Sequence, residues 1–553
     1  MATSDDTADA YAAAPDQGGT HRPATGGLNL KLRLPRPRFS VALAAAALLA
    51  LAACGASSSS EQLSSHINTR DLFTEGYDKI SYYYIEPTNA ERLGIAGLGK
   101  LATLDSSIGV ERQGSTIVLT QNGAPIGRYD APEASDASGW GGVTASALEA
   151  ARRASPKIAS TGEDQLDKVV FDGAIGTLDR FSRYATPDAA REQRAERNGF
   201  DGIGVTLDST ETEVRILSVL PDGPAEHAGI KADDRIITID GTPTSTLTRD
   251  QVVQRLRGPS GSRVVVGIER SSAPQPLTVA VSRAHIVLPT VTTKYDGKVA
   301  IFRVSSFNQE TYDQLDDAVD KARRQLGGRP TGMVLDLRDN PGGLLDQSVK
   351  VASLFMEGGT VVSTTGRLLE SRKIYPASGS RRTEGIPLVV LVNGGSASAS
   401  EIVAAALQDS GRAVVIGTSS YGKGTVQTVL HLENDGELTV TWAKLLTPEG
   451  YILHEHGVVP TVCTSDLGDD DQSIAHAIQI GTVAGTGLAG RPRAALDEQG
   501  WTDLRKTCPT QRVDRSADLK IAQRLLQDPA LYSRALSVTP TPLSRTAAAI
   551  PHP

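Results

Sequence analysis

Four short apolar runs alternate with helix-period segments between residues 290 and 465, and this restricts the stretch to an α/β layer. The runs are KVAIFRVSSF, GMVLDLRD, PLVVLVNG and AVVIG; the helical segments between them cover 310–326, 344–355 and 399–408. At 553 residues the chain is too long for one core. Residues 1–60 are expected to be leader and tether, 61–195 mostly helical, 199–285 a β-rich module, and 466–553 a polar, partly helical extension with little functional signal. In the second region, apolar residues recur at helical spacing over 71–84 and 166–184. Between them, the alternating stretch 109–129 carries Asn122-Gly123, a hairpin signal. GLGKLATLD (97–105) echoes GAIGTLD (173–179), as a duplication would.

The N-terminus sets the expected compartment. Lys31, Arg33, Arg36 and Arg38 precede an apolar run over 39–53. Its 15 residues span about 22 Å as a helix, short of a hydrocarbon core of about 30 Å. A signal-peptide core therefore fits better than a spanning helix. The run ends in Leu51-Ala52-Ala53-Cys54-Gly55, followed by Ala56 and serines, and resembles the lipobox of bacterial lipoproteins, which implies lipid on Cys54. An uncleaved signal anchor is the alternative, because 30 mostly polar residues precede the basic group. Cys463 and Cys508 are then the two remaining thiols in an oxidising compartment and are expected to pair. The net charge of −8, with no basic block after the leader, argues against a nucleic-acid partner.

Residues 199–285 hold short β-type runs and one helical segment, TRDQVVQRLRG. Gly202-Ile203-Gly204-Val205, DGPAEHAGIKADDRIITIDG and LRGPSG together resemble a PDZ domain. The resemblance implies that the Gly202–Gly204 loop nests a peptide's terminal carboxylate, that the strand through Val205 accepts the peptide as an added strand, and that Val252, Val253 and Leu256 wall the groove. A tail ending in a free carboxylate with a small or aliphatic residue is the expected ligand.

The segment VVLVNGGSASASEIVAAALQDSG (389–411) runs a strand into small residues and then a helix, so Ser396, Ser398 and Ser400 sit where helix N–H groups can face an oxyanion. Activation by histidine lacks a recognisable setting: Gly-x-Ser-x-Gly is absent, and the His454/His456 pair has no third metal ligand. Lysine is the other option. Lys423 lies between Gly422 and Gly424, and a desolvated lysine can act as a base. If a strand begins at Lys423, Gln427 falls on the same face and its amide oxygen can orient the amine.

NGGSASASEIVAAALQD followed by GTSSYGKGTVQT resembles the signature of carboxyl-terminal processing peptidases, the tail-specific serine proteases. The resemblance spans residues 70–465 and implies Ser398 as nucleophile, Lys423 as base and Gln427 as its assistant. LDLRDNPGGLL (335–345) resembles the segment that gives a glycine amide, Gly342 or Gly343, to an oxyanion hole shared with Ala399. The implied fold is multidomain α+β: a helical N-terminal region, a PDZ domain and a crotonase-like α/β protease core. No cofactor and no metal are expected. The implied partners are protein substrates with free C-termini, and the membrane through a lipid or signal anchor. Two rivals are weaker. GTSSYGKGT approaches a nucleotide-binding loop, but Gly424 stands where a hydroxyl should meet magnesium. A non-catalytic peptide-binding scaffold would be expected to lack the serine, the lysine or the glycine.

Overall fold

Strands Val291–Asp296, Val299–Val304, Gly332–Asp336, Leu388–Val392, Val414–Gly417 and Val462–Cys463 form one sheet in that order. Only the first pair is antiparallel. The computed structural model describes residues 11–12, 68–209, 213–483, 492–513 and 516–538; the basic and apolar leader and Cys54 lie outside these. Side chains alternate across a strand, so each run feeds two cores. Ala300, Phe302, Met333, Leu335, Val390 and Val415 share one core with helices Thr311–Gln325, Leu345–Phe355 and Ala399–Asp409. Ile301, Val334, Val389, Leu391, Val414 and Ile416 pack on the other side with Ile474, Ile521 and Leu525. Cover on both faces is why these strands are apolar throughout.

The second cover comes from the C-terminal extension, a role its polar composition does not announce. Helix Ser516–Gln527 buries Ala517, Ile521, Ala522, Leu525 and Leu526, a helical stripe within a charged segment. Tyr532, on helix Pro529–Ser537, donates its hydroxyl hydrogen to the Leu388 carbonyl at 2.9 Å.

A second sheet takes Thr425–His431, Glu437–Leu446, Thr360–Thr365 and Lys373–Pro376 in that order. Arg183–Ala185 pairs with the Glu437–Leu446 strand, and Tyr11–Ala12 with Thr425–His431. Leu430, Leu438 and Val440 of this sheet, with Leu432 just past its first strand, join the core of the N-terminal helices Thr69–Tyr83, Ala90–Gly99, Ala137–Ala154 and Glu163–Ile175.

One expectation for the N-terminal region needs revision. The helical spacing over 166–184 does not continue as one helix, which ends at Ile175. Asp179 then accepts from the amides of Phe181 at 2.7 Å and Ser182 at 2.8 Å, turning the chain into the Arg183–Ala185 strand. The echo between 97–105 and 173–179 falls at a helix crossing, where a Cβ on Gly173 would sit 2.5 Å from the Ala96 carbonyl. Small residues are needed there. The stretch around 109–129 is a three-stranded meander, Ile108–Gln113, Thr116–Gln121 and Ala124–Asp130. Its second turn has Asn122 at φ 50° and Gly123 at φ 80°, as a type I′ turn requires.

The β-rich module is a sheet in the order Leu277–Ser282, Arg263–Glu269, Arg235–Ile239, Val214–Val219 and Val205–Ser209, with helix Arg249–Leu256. The chain enters and leaves it through one antiparallel ribbon, Phe200–Gly202 against Ala284–Ile286.

Cys463, on the last strand of the central sheet, is bridged to Cys508, with Cα atoms 5.7 Å apart and a separation of 45 positions in sequence. Breaking this link by the Cys463→Ser/Cys508→Ser double substitution should lower stability by about 4 kcal/mol on the chain-entropy argument. Urea unfolding of the full chain and the double variant measures it, and equal midpoints would contradict it.

Candidate active site

The Leu388–Val392 strand ends at Asn393, whose Oδ1 accepts from the amides of Asp339 and Gly395, both at 2.9 Å. This pins the glycine turn to the end of the neighbouring strand. Three serines follow, and hydrogen bonding separates them. Ser396 Oγ donates to the Leu337 carbonyl at 2.8 Å and accepts from the Asn393 amide. Ser400 Oγ lies 2.8 Å from the Ala397 carbonyl and 2.9 Å from that of Asn340. Ser398 Oγ is buried and has no hydrogen-bond partner among the described residues. Its backbone has φ 58° and ψ −116°, a strained conformation for a side chain with a Cβ. Such a turn between strand and helix presents a hydroxyl in the manner of a nucleophile elbow.

The loop after Gly332–Asp336 packs directly on this turn. A Cβ on Gly342 would lie 2.8 Å from both Ser398 Cβ and the Ala397 carbonyl, so only glycine fits. The Gly342 amide is occupied, donating to Asn340 Oδ1 at 2.8 Å. Gly343, at φ 139°, bridges to Phe307 through its neighbours' backbone. Its own amide and that of Ala399, first residue of the helix, have no acceptor among the described residues.

Lys423 is 1% exposed. Its Nζ lies 5.1 Å from the centre of the Phe181 ring, which the N-terminal region contributes. A Cβ on Gly424 would fall 1.9 Å from the His454 nitrogen, so the loop passes backbone to backbone here. The following strand begins at Thr425, two residues later than the expectation built on Lys423, because the lysine amide is drawn to a carboxylate instead. Gln427 is fully buried; its Nε2 donates to Thr425 Oγ1 at 2.9 Å and Thr441 Oγ1 at 3.0 Å. Those bonds fix the amide orientation and leave Oε1 without a partner among the described residues.

That carboxylate is Glu401, which sequence reasoning passed over. Its Oε2 accepts from the amides of Ser398 at 2.8 Å and Lys423 at 2.9 Å. Its Oε1 accepts from the Gly422 amide at 2.7 Å and from Ser420 Oγ. Burial pushes the Glu401 pKa up, and these four donors work against that shift. One buried side chain thus holds the serine turn and the lysine loop together. The position inside the SASASE run was the available signal. Phe181 had none.

At the far end of the same helix, Asp409 and Glu449 pair with Arg493 of the extension, all three buried. Burial opposes the charge on Arg493, but the two carboxylates and Tyr451 push its pKa up on balance. The stretch that resembled a nucleotide-binding loop runs into the Thr425–His431 strand, not a helix. Among the described residues no group of three or more His, Cys, Asp or Glu side chains is placed to hold a metal.

In the β-rich module, Gly202, Ile203, Gly204, Val205, Val252, Val253 and Leu256 all line one groove of about 300 Å³. Gly204 adopts φ 78°, and Val205–Ser209 is the edge strand of its sheet. The serine turn and the Gly342–Gly343 loop thus form one site, and the β-rich module carries an apolar groove of its own.

The chain matches peptidase family S41 over residues 298–464 and the PDZ domain over residues 191–269. It is 36% identical over 305 residues to the carboxy-terminal-processing protease of Bartonella bacilliformis, covering 54% of this chain and 70% of that one. It is 33% identical over 340 residues to a Staphylococcus aureus protein described as "Probable CtpA-like serine protease", covering 58% and 67%. Among solved structures it is similar to a photosystem II D1 C-terminal processing protease, at 25% identity and a TM-score of 0.37, covering 71% of this chain and 92% of that one. These matches define a serine-type protease with a PDZ domain. The chain belongs to peptidase family S41, among the carboxy-terminal-processing proteases.

Glu401→Gln would put an amide N–H₂ where only donors point. Each mispaired buried donor costs about 1–3 kcal/mol, so hydrolysis should fall roughly tenfold or more. Rates of peptide cleavage with folding followed by circular dichroism check this; a fully active Glu401→Gln enzyme would contradict it.

Proposed function

We propose that this chain is an endopeptidase that cleaves exported proteins near their C-termini, with Ser398 as nucleophile, Lys423 as general base and Gln427 as the residue that orients the lysine. The observation that carries the reading is the contrast among the three serines: the hydroxyls of Ser396 and Ser400 are tied to backbone, and that of Ser398 is not. The burial of Lys423 supports it, because desolvation makes a neutral amine accessible. The fixed, unsatisfied Gln427 Oε1 supplies a hydrogen-bond acceptor for that amine.

The steps follow from these roles. Ser398 Oγ attacks the scissile carbonyl as its proton passes to Lys423 Nζ. The oxyanion that forms is met by the amides of Ala399 and Gly343; Gly343 is preferred to Gly342 because the Gly342 amide is already committed to Asn340. The lysinium then protonates the leaving amine. A water molecule, deprotonated by the same lysine, hydrolyses the acyl-enzyme and restores Ser398. Ser398→Ala and Lys423→Ala should each abolish cleavage of an unstructured peptide while the thermal melt is retained. Mass spectrometry after a serine-directed phosphonofluoridate should find label on Ser398 in the wild type and none in Lys423→Ala. Labelling of Lys423→Ala at the wild-type rate would remove lysine from the mechanism.

We further propose that the PDZ groove captures the substrate's tail. The apolar side chains of Ile203, Val252 and Leu256, beside the Gly202–Gly204 loop and an edge strand, suit a free carboxylate following a small or aliphatic residue. Amidating the substrate C-terminus should slow cleavage several-fold. If the module only gates the centre, amidation will change little and deletion of 199–285 will raise activity. The enzyme is placed on the outer face of the cytoplasmic membrane by the basic and apolar leader, with lipid on Cys54 or an uncleaved signal anchor. Intact-mass analysis distinguishes the two: a chain beginning at a diacylated Cys54 supports the lipoprotein, and a retained leader supports the anchor.

A further inference from the structure

The match to family S41 ends at residue 464, yet the loops that carry the proposed dyad are held from beyond it. Arg505, on helix Glu498–Thr507, donates to the His456 carbonyl, to the Ser420 carbonyl at 3.2 Å and to Thr510 Oγ1 at 2.8 Å. It also lies beside Glu401. A Cβ built on Gly457 would be 2.9 Å from Arg505 Nη1 and 3.1 Å from Glu401 Oε1, so guanidinium and carboxylate flank one backbone point. Burial lowers the pKa of Arg505, and the Glu401 charge restores part of it.

The residues after Arg505 continue the contact. Ser419 Oγ donates to the Cys508 carbonyl at 2.6 Å. The Gln511 carbonyl accepts from Thr418 Oγ1 at 3.0 Å and from the Gly394 amide at 2.7 Å. Residues 418–420 lead into Lys423, and Gly394 opens the turn that ends at Ser398. One short segment therefore touches both loops, and the Cys463–Cys508 bridge ties it to the central sheet.

We propose that residues 505–511 form a strap that positions the serine turn and the lysine loop against each other, with Arg505 as its principal positioning residue. This rests on the Ser398–Lys423 reading. The need for a strap follows from the backbone: the lysine loop runs from Gly417 at φ 134° through Gly422 at φ 91° to Gly424, and glycines impose little local order. A misplacement of about 1 Å between reacting groups can cost on the order of a hundredfold in rate, so order must come from outside the loop. Arg505 acts on the reaction through the Ser420 carbonyl and Glu401, without touching substrate.

The test uses the full chain in detergent, an unstructured peptide with a free C-terminus as substrate, and Arg505→Gln, Arg505→Lys and Ser419→Ala. A positioning role predicts that kcat of Arg505→Gln falls about tenfold or more while KM stays within about twofold, and that Arg505→Lys recovers part of the loss. Ser419→Ala removes one strap hydrogen bond and leaves the guanidinium in place; its kcat should fall about threefold with KM unchanged. Should Arg505→Gln fail to melt cooperatively, Ser419→Ala decides alone. A kcat within about twofold of wild type in a folded Arg505→Gln, or in Ser419→Ala where that variant decides, overturns the strap. Ser398→Ala and Lys423→Ala are run alongside: cleavage by either sinks the dyad, whereas inert dyad variants with a fully active Arg505→Gln sink only the strap.

Discussion

Everything at the candidate active site depends on one buried carboxylate. An ionised carboxyl taken out of water costs several kcal/mol unless it is met by donors. Glu401 is met by four, and three are backbone amides, of Ser398, Gly422 and Lys423. Moving either loop away would strand the charge, so the cost of burial becomes a force that keeps serine and lysine in register. It also explains how Ser398 holds φ 58° without a glycine: the bond from its own amide to Glu401 over-determines the turn.

The two sheets divide the labour. The central sheet delivers the serine at the end of a strand whose neighbours on both sides, Gly332–Asp336 and Val414–Gly417, run parallel to it. Loops leaving the same end of a parallel sheet converge, which is why Gly342, Ser398 and the Gly417–Gly424 loop meet. The second sheet begins where that loop ends and supplies Gln427, braced by Thr441 of the adjacent strand. Close backbone approach is the condition for this meeting, and Gly342 and Gly424 satisfy it where any side chain would collide.

What could be read from the sequence follows from how far apart the partners lie. Ser398, Lys423 and Gln427 sit within 30 residues and carry their spacing with them, so the candidate site and the strand–helix alternation could both be read from the sequence, and the structure brings the serine turn and the lysine loop onto one carboxylate. Glu401 stood in the same motif but was passed over, because its partners are mostly amides, which every residue has. Arg493 and Arg505 were beyond reach: their partners Asp409 and Ser420 are more than 80 residues away, and arginine in a polar tail reads as surface. The helical spacing across 166–184 misled for a local reason. Asp179 ends the pattern by capping two amides, a choice between turn and helix that periodicity does not register.

The PDZ module is joined to the rest of the chain by a narrow attachment. Arg194 and Arg197, on helix Pro187–Asn198, pair with the buried Glu437 of the second sheet, so the approach to the module is anchored in the core. Beyond it the chain passes through the three-residue ribbon Phe200–Gly202 with Ala284–Ile286. His285 closes that ribbon, with Nδ1 at 2.9 Å from Asp201 and Nε2 at 2.9 Å from the Asn198 carbonyl. A ribbon this short has few hydrogen bonds to lose, whereas the contacts around Glu401 are buried and mutually dependent. The serine turn and the lysine loop are thus held to the sheet and to the C-terminal extension by buried bonds, whereas the chain reaches the PDZ module through one short ribbon.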